Sequence, residues 1–354
     1  GAMLHSLDIT GFRGFSKLSI EKLARVNVFV GKNGSGKTTV LESVELLGSP
    51  SPVSLKRSAA HRREVVLARN GGGTFRKDVE AGHLFHGHLA GLGTAFSVRG
   101  RLDESDLAID ALVTEAPSSL SRAMANQPLR DDVVRELRWT LNGQPLLDVM
   151  IGPEGGLQLA RIPPIPDSFA LRFVDAVGDV QDDDAAQSLW RAIATSAAEE
   201  FVVGALQLVA PDVVRVTNVG VPVPSIHVRR RGAEDVVPIG SLGDGANRLF
   251  VLAANLAMSE GGAFVIDEIE TALHVSVMEP LWRMVIETAL KLNVQVFATT
   301  HSDDCLRGLA RALHAKPELR DAVLLHRIER GEPLPVTYDA EDIMRSASSD
   351  IDLR

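Results

Sequence analysis

Eight consecutive residues, Gly31-Lys32-Asn33-Gly34-Ser35-Gly36-Lys37-Thr38, satisfy G-x-x-x-x-G-K-[ST] at every fixed position. The residue types define the chemistry. Glycines let the backbone wrap until successive N–H groups point inward at phosphate oxygens. A helix opening at this loop adds its positive end. Lys37 is spaced to reach β- and γ-phosphates, and the Thr38 hydroxyl to take a position on Mg²⁺. Asn33, Gly34, Ser35, Gly36 and Thr39 complete the cradle for a nucleoside triphosphate, with ATP as the expected cofactor together with Mg²⁺.

Three further groups extend this chemistry. Phe264-Val265-Ile266-Asp267-Glu268 is an apolar run ending in two carboxylates. Asp267 would hold Mg²⁺, and Glu268 would orient or deprotonate an attacking water. A second apolar run, Val294 to Ala298, ends in Thr299-Thr300-His301-Ser302, which places His301 34 residues after Asp267. A histidine there could hydrogen-bond a γ-phosphate and the water. Finally, Ser241-Leu242-Gly243-Asp244-Gly245 opens an apolar helix, with Ser241 available as its cap. This is a second anion-binding helix end. One nucleotide uses only the first, so the second is explained if it serves a nucleotide held by a partner subunit.

These groups need elements to carry them. Leu4 to Ile9 and Leu18 to Ile20 read as two strands around a turn at Gly11 and Gly14. Val26 to Val30 reads as a buried strand, and Thr39 to Leu47 as the helix after the phosphate loop. Residues 49–73 read as loop, 74–100 as mixed short strands, and Leu137 to Leu141 as an alternating piece. Gln181 to Leu208 reads as helical. Val213 to Val237 reads as a hairpin with Pro222 and Pro224 at an edge or turn. Leu249 to Met258 and Pro280 to Leu290 read as helices, and Ala263 to Ile266 as a buried strand. Strand–helix alternation at both ends predicts an α/β core interrupted by an insertion. The expected organisation is 1–100 as the first part of the core, 101–235 as an inserted lobe, and 236–354 as the rest.

Composition bounds the class. The chain has 354 residues, of which 45% are hydrophobic and 23% charged, which excludes a disordered polymer. The longest uncharged apolar run, Leu249 to Met258, is about half a membrane span, so no membrane partner is expected. Gly1-Ala2-Met3 reads as a cleavage scar, and no apolar signal segment follows. The single cysteine, Cys305, excludes a disulfide framework and points to a reducing, cytoplasmic setting. It reads as an inert helix residue. The net charge is −9, but residues 1–100 carry +7 and residues 101–200 carry −10. The acidic insertion is therefore the better partner-docking face. Lys56, Arg57, Arg62, Arg63, Arg69, Arg76 and Lys77 form a basic run against only Glu64 and Asp78. It reads first as a solvated loop with nucleotide-base contacts, and second as a contact to nucleic-acid phosphates. His83, His86 and His88 read as packing residues in preference to a metal site. Arg229-Arg230-Arg231 reads as a charged hairpin tip.

The combination resembles an ABC-type ATPase of the SMC, RecF and OLD-like branch, and more loosely a stand-alone OLD-like ATPase without a Toprim domain. The resemblance is tight over roughly 1–50 and 236–305. It implies a P-loop NTPase fold: an ABC-ATPase head with a mixed β-sheet core, an N-terminal antiparallel β subdomain and an inserted α+β or helical lobe. Asp267 and Glu268 match the Walker B carboxylates. Ser241 and Gly243 match the signature, with Leu242 and Asp244 departing from its common form. Thr271-Ala272-Leu273-His274 matches the D-loop, and His301 the switch histidine. Leu7-Asp8-Ile9-Thr10-Gly11-Phe12-Arg13 is similar to the branch's opening motif, in which the basic residue, here Arg13, approaches the phosphates. No glutamine lies within residues 1–126 to supply the family's usual Mg²⁺ contact. The resemblance implies a homodimer that sandwiches ATP, with Ser241, Gly243, Asp244 and Gly245 acting in trans. Its expected output is control of an effector such as a nuclease or toxin, in phage defence or DNA repair. The alternative is a RecF-like ATP-dependent DNA clamp gripping nucleic acid through 56–77.

Overall fold

A computed structural model describes residues 3–69, 75–103, 105–117, 134–159, 162–176, 183–194, 196, 198–219, 225–349 and 353. The Val26–Val30 strand lies inside a six-stranded sheet. Its spatial order is Leu171–Val174, Ala263–Ile266, Gln295–Thr299, Val26–Val30, Val323–Arg327 and Val336–Tyr338. The first five strands are parallel and the last pairs antiparallel. The middle strands are buried at every residue, which is why they read as unbroken apolar runs.

The two faces of this sheet serve different cores. Val26, Val28, Val30, Phe264, Ile266, Val296 and Ala298 pack with helices Asp244–Ala257, Met278–Lys291 and Asp303–Ala315. Phe29, Ala263, Val265 and Phe297 face the other way, onto helix Lys37–Gly48 and a second sheet. That sheet has nine strands, all antiparallel. Its order is Phe15–Ile20, Ser6–Phe12, Ala95–Arg101, Asp106–Glu115, Arg135–Leu141, Gln144–Ile151, Gly156–Leu157, Phe75–Glu80 and Val65–Arg69. The fold is thus the expected α/β head with a mixed sheet and an antiparallel β portion.

Several expectations need correction. Residues 49–73 are not all loop: Leu55–Arg62 is a helix and Val65–Arg69 an edge strand. The expected 101–235 lobe is not one body. Its strands from Asp106 to Leu157 extend the N-terminal sheet, because each continues the antiparallel ladder from Ala95–Arg101. Leu171–Val174 instead joins the parallel sheet beside Ala263–Ile266. The remainder is two helices, Asp183–Ile193 and Ala198–Leu206, beside a three-stranded sheet, Val213–Val219, Ser225–Arg230 and Val236–Pro238. The single helical stretch is therefore interrupted, with residues 194 and 196 outside both helices. Pro222 and Pro224 lie outside the described residues.

Sandwiching a helix between two sheets has an electrostatic cost. Nearly every residue of Lys37–Gly48 is buried, including Glu42 at 1% exposure. A buried carboxylate must be paired. Arg13 brings Nε to 2.8 Å from Glu42 Oε2, and Arg62 brings Nη2 to 3.0 Å from Glu42 Oε1. Arg13 also donates from Nη1 to Glu64 Oε2 at 2.5 Å and from Nη2 to Ser58 Oγ at 3.2 Å. Arg13→Met should therefore lower stability by about 3–5 kcal/mol, because two carboxylates lose their shared cation. Urea unfolding reads this as a lowered midpoint at unchanged slope.

His326 is fully buried, stacked 5.3 Å from the Phe29 ring and bonded through Nδ1 to Thr337 Oγ1 at 3.0 Å. Burial pushes its pKa down to about 4 from 6.5. Between those values the unfolded chain binds the extra proton, so stability falls as pH drops through this window. His326→Phe should be less acid-sensitive than the native chain by about 2 kcal/mol between pH 7 and pH 5. Burial raises Glu45 to about 7, but it titrates in both proteins and cancels in that comparison.

Candidate active site

The phosphate loop is built around positions only glycine can fill. Gly31 has φ +146°, and a Cβ there would lie 2.4 Å from Ile328 O. Gly36 has φ +106°, and its Cβ would lie 2.3 Å from Phe15 Cζ. Gly36 also caps helix Lys37–Gly48 with no side-chain acceptor, so the first amides stand bare. Ser35 Oγ is buried without a hydrogen-bond partner, an orphaned donor inside the cradle. Lys37 Nζ donates to Gly31 O at 2.7 Å and Lys32 O at 3.2 Å. Burial lowers the Lys37 pKa, against the pull of Asp267, Glu268 and Glu270.

The parallel register brings the remaining chemistry to this loop. Thr38 Oγ1 donates to Asp267 Oδ2 at 3.0 Å. Thr299 Oγ1 donates to Asp267 Oδ1 and in turn accepts Glu268 N–H at 2.8 Å. Hydroxyl and carboxylate oxygens at one point suit a hard divalent cation such as Mg²⁺. Glu268 holds a left-handed φ of +48° and leaves its side chain 41% exposed. His301 Nδ1 lies 3.5 Å from Glu268 Oε1 and 3.4 Å from Glu270 Oε1. Thus Lys37, Thr38, Asp267, Glu268 and His301 share one sheet edge.

The signature residues stand elsewhere on the chain. Ser241 is not the cap of the following helix: it lies in a preceding 3₁₀ turn, Ile239–Leu242, and Gly243 at φ +93° is the cap. No side chain caps helix Asp244–Ala257, and Ser241, Gly243 and Asp244 are exposed. Gly245 sits close under the D-loop, where a Cβ would meet Ala272 O at 3.1 Å. His274 caps the next short turn through Ser276 N–H at 3.2 Å.

Other expected residues are engaged differently. Arg13 lines the same cavity as Gly34 and Ser35 of the phosphate loop, but its guanidinium is held by Glu42 and Glu64, because burial of Glu42 demands a cation. The basic run is consumed in part. Arg57 pairs with Glu45 at 2.6 Å and lies 4.0 Å over the Phe173 ring. Arg62 pairs with Glu42, and Arg76 with Asp78 at 2.6 Å. Lys56, Arg63 and Lys77 remain exposed. His83 and His88 pack edge to face at 5.2 Å, and the described residues contain no metal-binding cluster of His, Cys, Asp and Glu. Cys305 is buried, which pushes its thiol up to about 12. His86 and His88 line a cavity of about 470 Å³ that also touches Phe15, Gly34, Ser35 and Arg330.

Three residues escaped the sequence reading. Thr299 carried a signal, a hydroxyl ending a buried strand. Glu270 follows Asp267 by three residues. Arg248, 1% exposed within an apolar helix, donates to the carbonyls of Asp175 at 3.0 Å and of Asp267 and Glu268 at 3.1 Å. It ties the signature helix to the ends of two sheet strands.

Known proteins match in pieces. Residues 3–82 match the family model "AAA ATPase domain", and 153–306 match "AAA domain, putative AbiEii toxin, Type IV TA system". The DNA replication and repair protein RecF of Clostridioides difficile (strain 630) is 48% identical over 44 residues, 12% of either chain. RecF of Marinomonas sp. (strain MWYL1) is 56% identical over 41 residues, 12% of this chain and 11% of that protein. These alignments thus span about one eighth of each relative. An Smc head bound to the C-terminal winged-helix domain of ScpA superposes with TM-score 0.52 at 16% identity, covering 96% of this chain and 98% of that one. An Smc head with an extended coiled coil, bound to the C-terminal domain of ScpA derived from Pyrococcus furiosus, gives 0.54 at 13%, covering 99% and 100%. The fold is that of an Smc-type ABC-ATPase head, and the chain resembles AAA ATPase domains over 3–82 and 153–306 and RecF over a short stretch.

The cradle yields a direct expectation. Gly36→Ala should weaken binding of a fluorescent ATP analogue at least about 100-fold, because the methyl meets Phe15 at a backbone angle alanine resists. Titration by fluorescence anisotropy measures it.

Proposed function

We propose that this chain hydrolyses ATP in a head-to-head homodimer and uses the cycle to control an effector protein. The observation that carries the reading is the division of labour between two bare helix ends. One, at Gly36, adjoins Thr38, Asp267, Glu268 and His301. The other, at Gly243, is exposed and carries no side-chain cap, and the helix behind it is tied to the Asp267 and Glu268 carbonyls only from Arg248, further along. A second copy would give it a nucleotide to cap.

In this mechanism the loop amides, Asn33 to Thr39 and Lys37 hold the phosphates, and Thr38 and Asp267 hold the cation. Mg²⁺, when bound, offsets charge on the phosphate oxygens. Glu268 takes one proton of the attacking water, and His301, at the γ-phosphate edge, accepts a hydrogen bond from that water through Nε2. Catalysis is positioning and charge stabilisation, with Ser241, Gly243, Asp244 and Gly245 closing the site from the other subunit. The cavity beside Gly34, with His86 and His88 on its wall, has the size and place for base and ribose.

The effector is a nuclease or toxin in our reading, serving phage defence or DNA repair. Supporting it are a matched family described by a toxin system and fold relatives bound to ScpA domains. The setting we propose is cytoplasmic; among the described residues no helix is long and apolar enough to cross a membrane. Glu268→Gln should accumulate an ATP-bound dimer, and Ser241→Arg should abolish both dimer and turnover. Light scattering with ATP and Mg²⁺ that shows only monomer would contradict the mechanism.

The RecF-like clamp is the second reading, favoured by three exposed cations, Lys56, Arg63 and Lys77. Replacing all three by alanine should then reduce ATP-dependent duplex affinity and flatten its salt dependence by about three counterions. Arg62 is unsuitable for this test because it neutralises Glu42. Unchanged affinity on filter binding removes the clamp.

A further inference from the structure

Glu270 is an acid that the proposed hydrolysis does not use. Its side chain is only 11% exposed. Oε2 is buried with no hydrogen-bond partner, an arrangement that costs stability and is retained where a charge has work to do. Oε1 accepts the backbone N–H of His301 at 3.2 Å and lies 3.4 Å from the same residue's Nδ1. One carboxylate oxygen therefore meets both the main chain and the ring of His301. Glu268 also approaches Nδ1, at 3.5 Å, but it is four times more exposed and has no bond to the His301 backbone.

We propose that Glu270 is the positioning residue of the active site, fixing the ring of His301 so that Nδ1 carries a proton and Nε2 faces the reaction. The physical reason is that an acceptor-only carboxylate beside Nδ1 selects the tautomer with N–H there. The backbone contact sets the ring's origin, and the ring contact sets its rotation. Glu268 is thereby left free to handle water. Cys305 lies in the next helix, near enough to feel the Glu270 charge, and Arg248 supplies a nearby cation on the opposite element. Glu270 touches neither nucleotide nor water in this scheme; it acts through His301.

This assignment rests on the proposed hydrolytic reading, and a double-mutant cycle with a spectroscopic arm separates the two. ATP turnover is compared in the native chain, Glu270→Gln, His301→Ala and the double variant. Glu270→Gln should lower kcat about 10- to 100-fold, the range typical of residues that orient a functional histidine. KM for ATP should stay within about 3-fold, and in the His301→Ala background the same change should cost less than about 2-fold. Effects that multiply in the double variant overturn the proposal. The second arm needs no activity: ¹⁵N spectra of histidine-labelled, nucleotide-free protein, with His301 assigned by its loss in His301→Ala. The Nδ1-protonated pattern should appear in the native chain and shift in both Glu270→Gln and Glu270→Asp. An unchanged His301 signal in both variants overturns it, even if the native chain proves to have no turnover.

Discussion

The active edge depends on how Asp267 is held. Two hydroxyls converge on its carboxylate, Thr38 from the start of the phosphate-loop helix and Thr299 from the neighbouring strand. The two donors and the carboxylate come from three separate parts of the sequence, so they meet only if the strands are in register. The ladder supplies that: Ile266 pairs with Ala298, and Thr299 with Phe29. A parallel sheet ends all its strands on one side, which puts the loop after each at the same edge. A one-residue slip would turn Asp267 toward the opposite face and separate it from both hydroxyls.

What could be read from the sequence divides along this line. The phosphate loop, the carboxylate pair and the buried strands were legible because each is local and its pattern short. Helix Leu55–Arg62 was not. Only Leu55 and Ala59 of that helix are among the buried apolar residues, and two apolar positions amid lysine and arginine look like a solvated loop. The basic run misled for the same reason. Its partners Glu42 and Glu45 sit on a helix read only for its apolar face. Glu270 and Arg248 were invisible because their meaning lies in what they touch across the fold.

The acidic block was similarly hard to parse. Strand–helix alternation marks only the two ends of the chain, so the stretch between them reads as a single insertion. The backbone treats it as two continuations and a helical annex: one run of strands extends the antiparallel sheet, one strand enters the parallel sheet, and the helices pack on the signature helix. Charge describes the solvent side of these elements, whereas strand pairing follows the inward side. Trp139 shows the inward side at work, buried in the second core with its indole N–H on Pro50 O at 3.0 Å.

The place of Val26–Val30 in the sheet bears on how the chain is made. Both its neighbours, Gln295–Thr299 and Val323–Arg327, lie more than 260 residues further along the chain. During synthesis this strand emerges before the others of its sheet and has no partner on either side until those residues have followed it. The antiparallel sheet, closed by consecutive hairpins, faces no such wait over most of its width. Topology therefore makes the candidate site late to assemble, and leaves a buried, largely apolar strand exposed to aggregation and to chaperones in the meantime.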